Sequence, residues 1–209
     1  SSQEFTGNFL DLFSPFTVFA GIAFCLLFLF HGAGFLSLRT VGDLGQRSAR
    51  MARRLAAPAL LAGILFMVWC VATAVAENDR GVLGPLVPAV AGSLALCGAA
   101  LAARARRPGL SFTLGAAGIV GVIATLFTGL YPRVMVSSTD LANSLTTGNA
   151  ASSHYSLTVI TIVAGCLLPV VLAYQSWSYW VFRHRVSEDG FEQAGNPIEA
   201  IRQRTEKRR

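Results

Sequence analysis

Five stretches of more than twenty residues carry no Asp, Glu, Lys or Arg, and nothing else in this 209-residue chain restricts its fold as strongly. They are Pro15–Leu38, Leu55–Ala76, Val82–Ala103, Leu110–Tyr131 and Tyr155–Phe182. A bilayer core about 30 Å thick takes roughly 20 apolar residues of helix rising about 1.5 Å each, so every stretch is long enough to cross. The chain is 53% hydrophobic and 13% charged, against roughly 25% charge in an ordinary soluble domain. The few charges cluster between the apolar stretches, which excludes a soluble globule, a disordered chain and a disulfide scaffold. The expected class is an all-α membrane protein with five transmembrane helices.

Local signals set the ends of these spans. Ser14-Pro15 reads as an N-cap followed by a first-turn proline, and Pro58, Pro85 and Pro108 are also placed at or near span starts, where a missing N–H costs little. Pro169 falls in the middle of the last span and is expected to kink it. The short connections Glu77–Gly81 and Arg104–Gly109 make spans two, three and four antiparallel neighbours in an up-and-down bundle.

Orientation follows from the basic residues, because Lys and Arg near span ends favour the cytoplasmic side. Fifteen of the seventeen lie on one side: the cluster from Arg39 to Arg54, the cluster from Arg104 to Arg107, and the tail from Arg183 onward. Only Arg80 and Arg133 lie on the other. The first residue is therefore expected outside and the C-terminus in the cytoplasm. Tyr131 and Tyr155 would anchor the outer interface, and Trp177, Tyr179 and Trp180, with Arg183, the inner one. The net charge of +6 does not point to nucleic acid, because these residues cap spans instead of forming one basic face. The organisation reads as an outer segment (1–14), four helices of one bundle (15–131), an outer loop (132–154), a fifth helix (155–182) and a cytoplasmic tail (183–209), read as a solvated tail near anionic lipid with room for a short helix after Asn196-Pro197.

Chemistry inside the spans is sparse. Cys25, Cys70, Cys97 and Cys166 lie in four different spans, with no zinc-type spacing, and read as small buried hydrophobes. No metal site is expected. His31 is the one histidine within a span, and no second ligand is placed beside it, so a packing histidine is preferred to a haem ligand. The run Gly32, Ala33, Gly34 after it marks a place where another helix can approach closely. Without a mid-membrane acid the five spans do not suggest a proton path or a cation-coupled carrier. Ser152-Ser153-His154 places hydroxyls beside a histidine, but such residues belong to caps and turns, and no catalytic group is expected. The phenylalanines of span one, from Phe16 to Phe35, suit an interface, a groove for an isoprenoid tail or simple lipid exposure. The outer loop is long enough to be functional or to cover a neighbouring subunit.

Three ordered blocks carry a resemblance. The outer loop and its exit contain Leu130-Tyr131-Pro132, Ser137-Ser138, Leu145-Thr146, Asn149-Ala150-Ala151-Ser152-Ser153 and Tyr155-Ser156-Leu157. The last span ends in Tyr174-Gln175-Ser176-Trp177-Ser178-Tyr179-Trp180-Val181-Phe182-Arg183, and the first in His31-Gly32-Ala33, Phe35-Leu36 and Leu38-Arg39-Thr40. Together they resemble subunit II of the cytochrome bd quinol oxidases, up to about Arg185. The resemblance implies that these spans are helices five to nine of a nine-helix subunit, forming an antiparallel four-helix bundle plus a peripheral C-terminal helix. The missing N-terminal half of the same subunit would then precede Ser1, which agrees with a chain that opens without a methionine or signal segment.

The resemblance also implies a function for the complex: oxidation of a membrane quinol with four-electron reduction of oxygen to water, contributing to the proton potential in a bacterial plasma membrane. Haem b and haem d would sit in the partner, the haem-bearing subunit I. This chain would hold no cofactor, apart from room for a structural quinone or lipid, and would dock and shield its partner. The alternatives are the membrane subunit of a permease or transporter, and an assembly scaffold.

Overall fold

The computed structural model describes residues 13–77, 81–137 and 144–181. Helices α1 (Pro15–Arg39), α2 (Gly42–Glu77), α3 (Leu83–Arg104), α4 (Pro108–Leu130) and α5 (His154–Val181) are all long and apolar enough to span a membrane. Between α4 and α5 lies a small antiparallel hairpin of β1 (Arg133–Met135) and β2 (Leu145–Thr146). Helices α1 to α4 close into a ring in which each packs on its sequence neighbour, and α4 returns onto α1. Helix α5 has no buried residue, so it lies peripheral to the bundle. The expected fold class is thus the observed one.

The second helix departs most from expectation. It begins at Gly42 rather than Leu55, so the basic connection is part of the helix and only Thr40 and Val41 separate it from α1. Thirty-six residues at about 1.5 Å each exceed a bilayer core by roughly 20 Å. The cause is local propensity: the added turns are rich in Arg, Ala, Met and Leu, which favour helix whatever their polarity. Ser48 and Ala52 there are buried, so the extension packs against the bundle. Pro58 consequently falls inside a helix, not at its start. Pro108 does take the first turn of α4, and Ser14 caps α1 by accepting the Thr17 N–H at 3.2 Å. Pro169 lies within α5, which continues through it.

The core is built from small residues and a few large ones. Phe66, Leu27, Met67, Val122 and Thr125 are fully enclosed. Along α2 the buried positions Ala52, Ala56, Ala59, Ala62, Phe66, Cys70 and Ala74 recur every three or four residues, one continuous face of the helix. Against it α1 presents an aromatic seam. Phe16 and Phe24 each lie 5.6 Å from the Phe66 ring, and Phe16 meets Trp69 edge-on at 5.6 Å. Phe30 is buried, whereas Phe28 faces outward, so the span-one phenylalanines divide between interface and lipid face. The cysteines divide too: Cys70 is buried, but Cys25 and Cys166 are exposed, because each occupies the outward face of its helix.

Among the described glycines, Gly118 and Gly121 of α4, packed against α3, leave the least room for a side chain. A Cβ on Gly121 would overlap the Gly92 Cα and stand 3.2 Å from the Pro88 carbonyl oxygen. A Cβ on Gly118 would strike the Leu96 side chain, and one on Gly98 would come within 2.9 Å of Leu114. Between lipid-solvated helices the association rests on such close packing, because lipid tails are as apolar as the side chains they would replace. Most span hydroxyls bond on their own helices, as Thr125 does to the Gly121 carbonyl at 2.8 Å and Thr73 to Trp69 at 2.9 Å, whereas Ser111 of α4 crosses to the Ala99 carbonyl of α3 at 3.0 Å.

Candidate functional site

The two ends of the bundle differ. At the end where α1 begins and α4 finishes, the β1–β2 hairpin folds beside an apolar cleft of about 660 Å³, lined by Phe16, Trp69, Leu126 and Met135 among others. The hairpin is held by the residues of the loop strings. Ser144, buried, accepts the Ser137 N–H at 3.1 Å. Asn149 accepts the Thr146 N–H at 2.6 Å and donates to the Ser144 carbonyl at 3.1 Å. The Thr147 N–H reaches the Pro132 carbonyl at 2.9 Å, tying the loop to the end of α4. The described residues of this Ser-rich, Asn-rich loop are thereby held by their own side chains, as such residues do when they compete for backbone groups. Ser153 accepts the Ser156 N–H at 3.4 Å in the first turn of α5, a capping contact, with His154 exposed beside it.

His31 lies in α1 against α4. Its ring stacks on Phe112 at 4.3 Å with an interplanar angle of 22°. Its Nδ1 faces Gly115, where a Cβ would stand 3.4 Å away. Among the described residues this nitrogen is the one buried side-chain polar atom without a hydrogen-bond partner. Ala33 is buried, but a Cβ on Gly32 or Gly34 would meet nothing within 4 Å, so within this chain the contact is made by the histidine rather than by the glycines after it. Besides Gly63 of α2, which is close to Leu96, the tightest glycine contacts lie on α3 and α4, at Gly118 and Gly121. Their signal in the sequence is Gly115, Gly118 and Gly121 at three-residue spacing, followed by Thr125.

The stacking geometry makes a test. His31→Phe keeps the ring on Phe112 and removes the unpaired nitrogen, so the melting temperature is expected to hold or rise, by the equivalent of about 1 kcal/mol. His31→Ala removes the stack and is expected to cost about 1–2 kcal/mol. Thermal unfolding of the two variants in one detergent checks the order.

The aromatic residues fall at both ends of α5. Tyr131 follows α4 and Tyr155 opens α5 at the hairpin end, while Trp177, Tyr179 and Trp180 stand at the opposite end of α5, all of them exposed. Arg183 and the tail, with the segment after Asn196-Pro197, lie outside the described residues.

The described residues assemble no group of three His, Cys, Asp or Glu side chains. The His31 ring is covered by Phe112 and its Nδ1 is closed off by Gly115, so the surroundings of Nδ1 do not fit an axial ligand. The fold and its ends define a multi-pass membrane bundle with a peripheral helix and a small β-hairpin at one face.

The match to known proteins is specific. A family model described as cytochrome bd terminal oxidase subunit II matches residues 1–182, and the chain belongs to that family. It is 36% identical over 182 residues to the cytochrome bd ubiquinol oxidase subunit 2 of Bacillus subtilis (strain 168), covering 85% of this chain and 52% of that protein. It is 29% identical over 218 residues to the cytochrome bd-I ubiquinol oxidase subunit 2 of Escherichia coli (strain K12), covering 90% and 57%. A probable cytochrome oxidase subunit 2 of Haemophilus influenzae is 28% identical over 204 residues, covering 84% and 53%. The chain thus spans about half the length of the curated relatives it matches.

Proposed function

We propose that the protein is the non-haem subunit of a bd-type oxidase in a bacterial plasma membrane, where the complex oxidises membrane quinol, reduces oxygen to water and contributes to the proton potential. The observation that carries this reading is the family match across all five spans, with 36% identity to a protein named as a ubiquinol oxidase subunit. The haem b and haem d chemistry belongs to the partner, subunit I, and this chain docks and shields that partner. Helix α5, with no buried residue, supports a peripheral position against lipid or a neighbouring chain. The first residue lies outside and the C-terminus inside, supported by the distribution of arginines. Tyr131 and Tyr155 anchor the outer interface and Trp177, Tyr179, Trp180 and Arg183 the inner one. The apolar cleft beneath the hairpin is the place for a structural quinone or a lipid tail.

The test is the reduced-minus-oxidised visible spectrum of the mildly solubilised complex, with quinol-dependent oxygen uptake on the same sample. Haem b and haem d bands with uptake are expected. A colourless, inactive preparation that retains its full partner set would overturn the oxidase reading and put a permease subunit first.

A further inference from the structure

A second cleft, of about 500 Å³, opens at the arginine-rich end of the bundle, where α1, the extension of α2 and the α3–α4 turn meet. Its polar lining is Ser37, Gln46, Arg50, Arg53, Arg106 and Ser111. The two hydroxyl protons are already committed, Ser37 to the Gly34 carbonyl at 2.7 Å and Ser111 to the Ala99 carbonyl at 3.0 Å. What remains to donate is three guanidinium groups and one amide. Among the described residues the only ion pair joins Arg47 to Asp43, and no carboxylate neutralises Arg50, Arg53 or Arg106.

The backbone singles out one of the three. Arg106 has φ 56°, in the left-handed region that favours glycine. It ends α3 in a Schellman turn, with Arg107 N–H to the Ala102 carbonyl at 2.9 Å and Arg106 N–H to the Ala103 carbonyl at 3.3 Å. Glycine would make this turn with less strain. An arginine there adds a guanidinium to the cleft lining at the expense of backbone comfort, a pattern that accompanies binding sites.

From the donors, the uncompensated charge and the strained cap, we propose that this cleft binds a phosphoanion, and that its source is the headgroup of an anionic phospholipid. Guanidinium forks match phosphate oxygens in geometry and charge. Basic pockets between helices at a membrane face take such headgroups. The lipid source is favoured because Leu36 and Leu110, next in sequence to Ser37 and Ser111, are exposed apolar residues along which acyl chains can lie. The inference rests on the membrane bundle alone and does not need the oxidase reading.

The experiment is native mass spectrometry of the full-length protein purified with whatever subunits accompany it, delipidated, and titrated with phosphatidylglycerol or phosphatidylcholine. Phosphatidylglycerol is expected to bind in preference. The pair R53Q/R106Q is expected to lose that preference by roughly tenfold, while R54Q/R104Q, exposed arginines outside the cleft, changes it less than about twofold. R106G separates binding from folding: glycine relaxes the cap, so the melting temperature holds or rises while the preference falls. Inorganic phosphate supplies the other source; if it displaces the lipid through the same arginines, the phosphoanion site stands and its ligand is free phosphate. Equal losses in the two pairs, or an unchanged preference in R53Q/R106Q, would overturn the proposal. Haem bands recorded on the same sample report on the oxidase reading separately.

Discussion

Replacing Gly121 by valine is expected to prevent the bundle from closing. The new Cβ would overlap the Gly92 Cα and crowd the Pro88 carbonyl, and neither is a side chain that can rotate away. Helices α3 and α4 must then separate along their whole contact. Overpacking a core commonly costs about 1–3 kcal/mol, and a clash of backbone on backbone belongs at or above the top of that range. Gly118→Ala meets the Leu96 side chain instead, which can move, so its cost is expected to be about 1–2 kcal/mol and to be relieved by adding Leu96→Val. Gly21→Ala, where a Cβ meets nothing within 4 Å, is expected to change stability by less than about 0.5 kcal/mol. Size-exclusion chromatography after a series of heating steps ranks the three. Equal behaviour of Gly121→Val and Gly21→Ala would show that the α3–α4 contact does not hold the fold.

Phe66→Ala is the second large effect. Phe66 is fully buried and carries both the Phe16 and the Phe24 ring contacts of the α1–α2 seam. In soluble cores such a truncation costs about 3–5 kcal/mol through transfer and cavity terms together. Inside a bilayer the transfer term is small, because lipid is as apolar as the core, and the cavity and lost dispersion remain. The expected loss is therefore about 2–3 kcal/mol. Phe28→Ala, on the outward face of the same seam, is expected to stay within about 0.5 kcal/mol. Unfolding in a mixed-micelle titration reads the difference, and a Phe66→Ala protein as stable as wild type would mean that the seam closes by repacking.

Much of this was legible in the sequence because the bilayer imposes a coarse rule. A charge-free run of more than twenty residues has few fates, and all five runs became helices. The start of α2 was hidden by the same rule: hydropathy reports where a helix leaves lipid, not where the helix ends, and Arg47 to Arg54 are good helix formers in either solvent. Pro58 was misplaced for the same reason. The hairpin was invisible because strands of three and two residues leave no alternating pattern. In the candidate sites, His31 stacks on Phe112 of α4, while a Cβ on Gly32 or Gly34 would meet nothing within 4 Å. A glycine shows that a close approach is permitted without saying which helix takes it, and here Gly92 and Gly121 found each other. The basic cleft could not be read at all. Arg53 and Arg106 are distant in sequence and meet only because α2 continues past the membrane beside the turn that Arg106 caps.

The glycine contact between α3 and α4 also has a mechanical meaning. Two backbones in direct touch cannot slide past each other, since a shift of one residue along either axis would drive a side chain into the opposing main chain. The short turn at Ala105–Arg107 removes the freedom to splay at that end. The pair should therefore move as a stiff post, and whatever breathing the subunit undergoes is left to the softer aromatic seam of α1 and α2 and to α5.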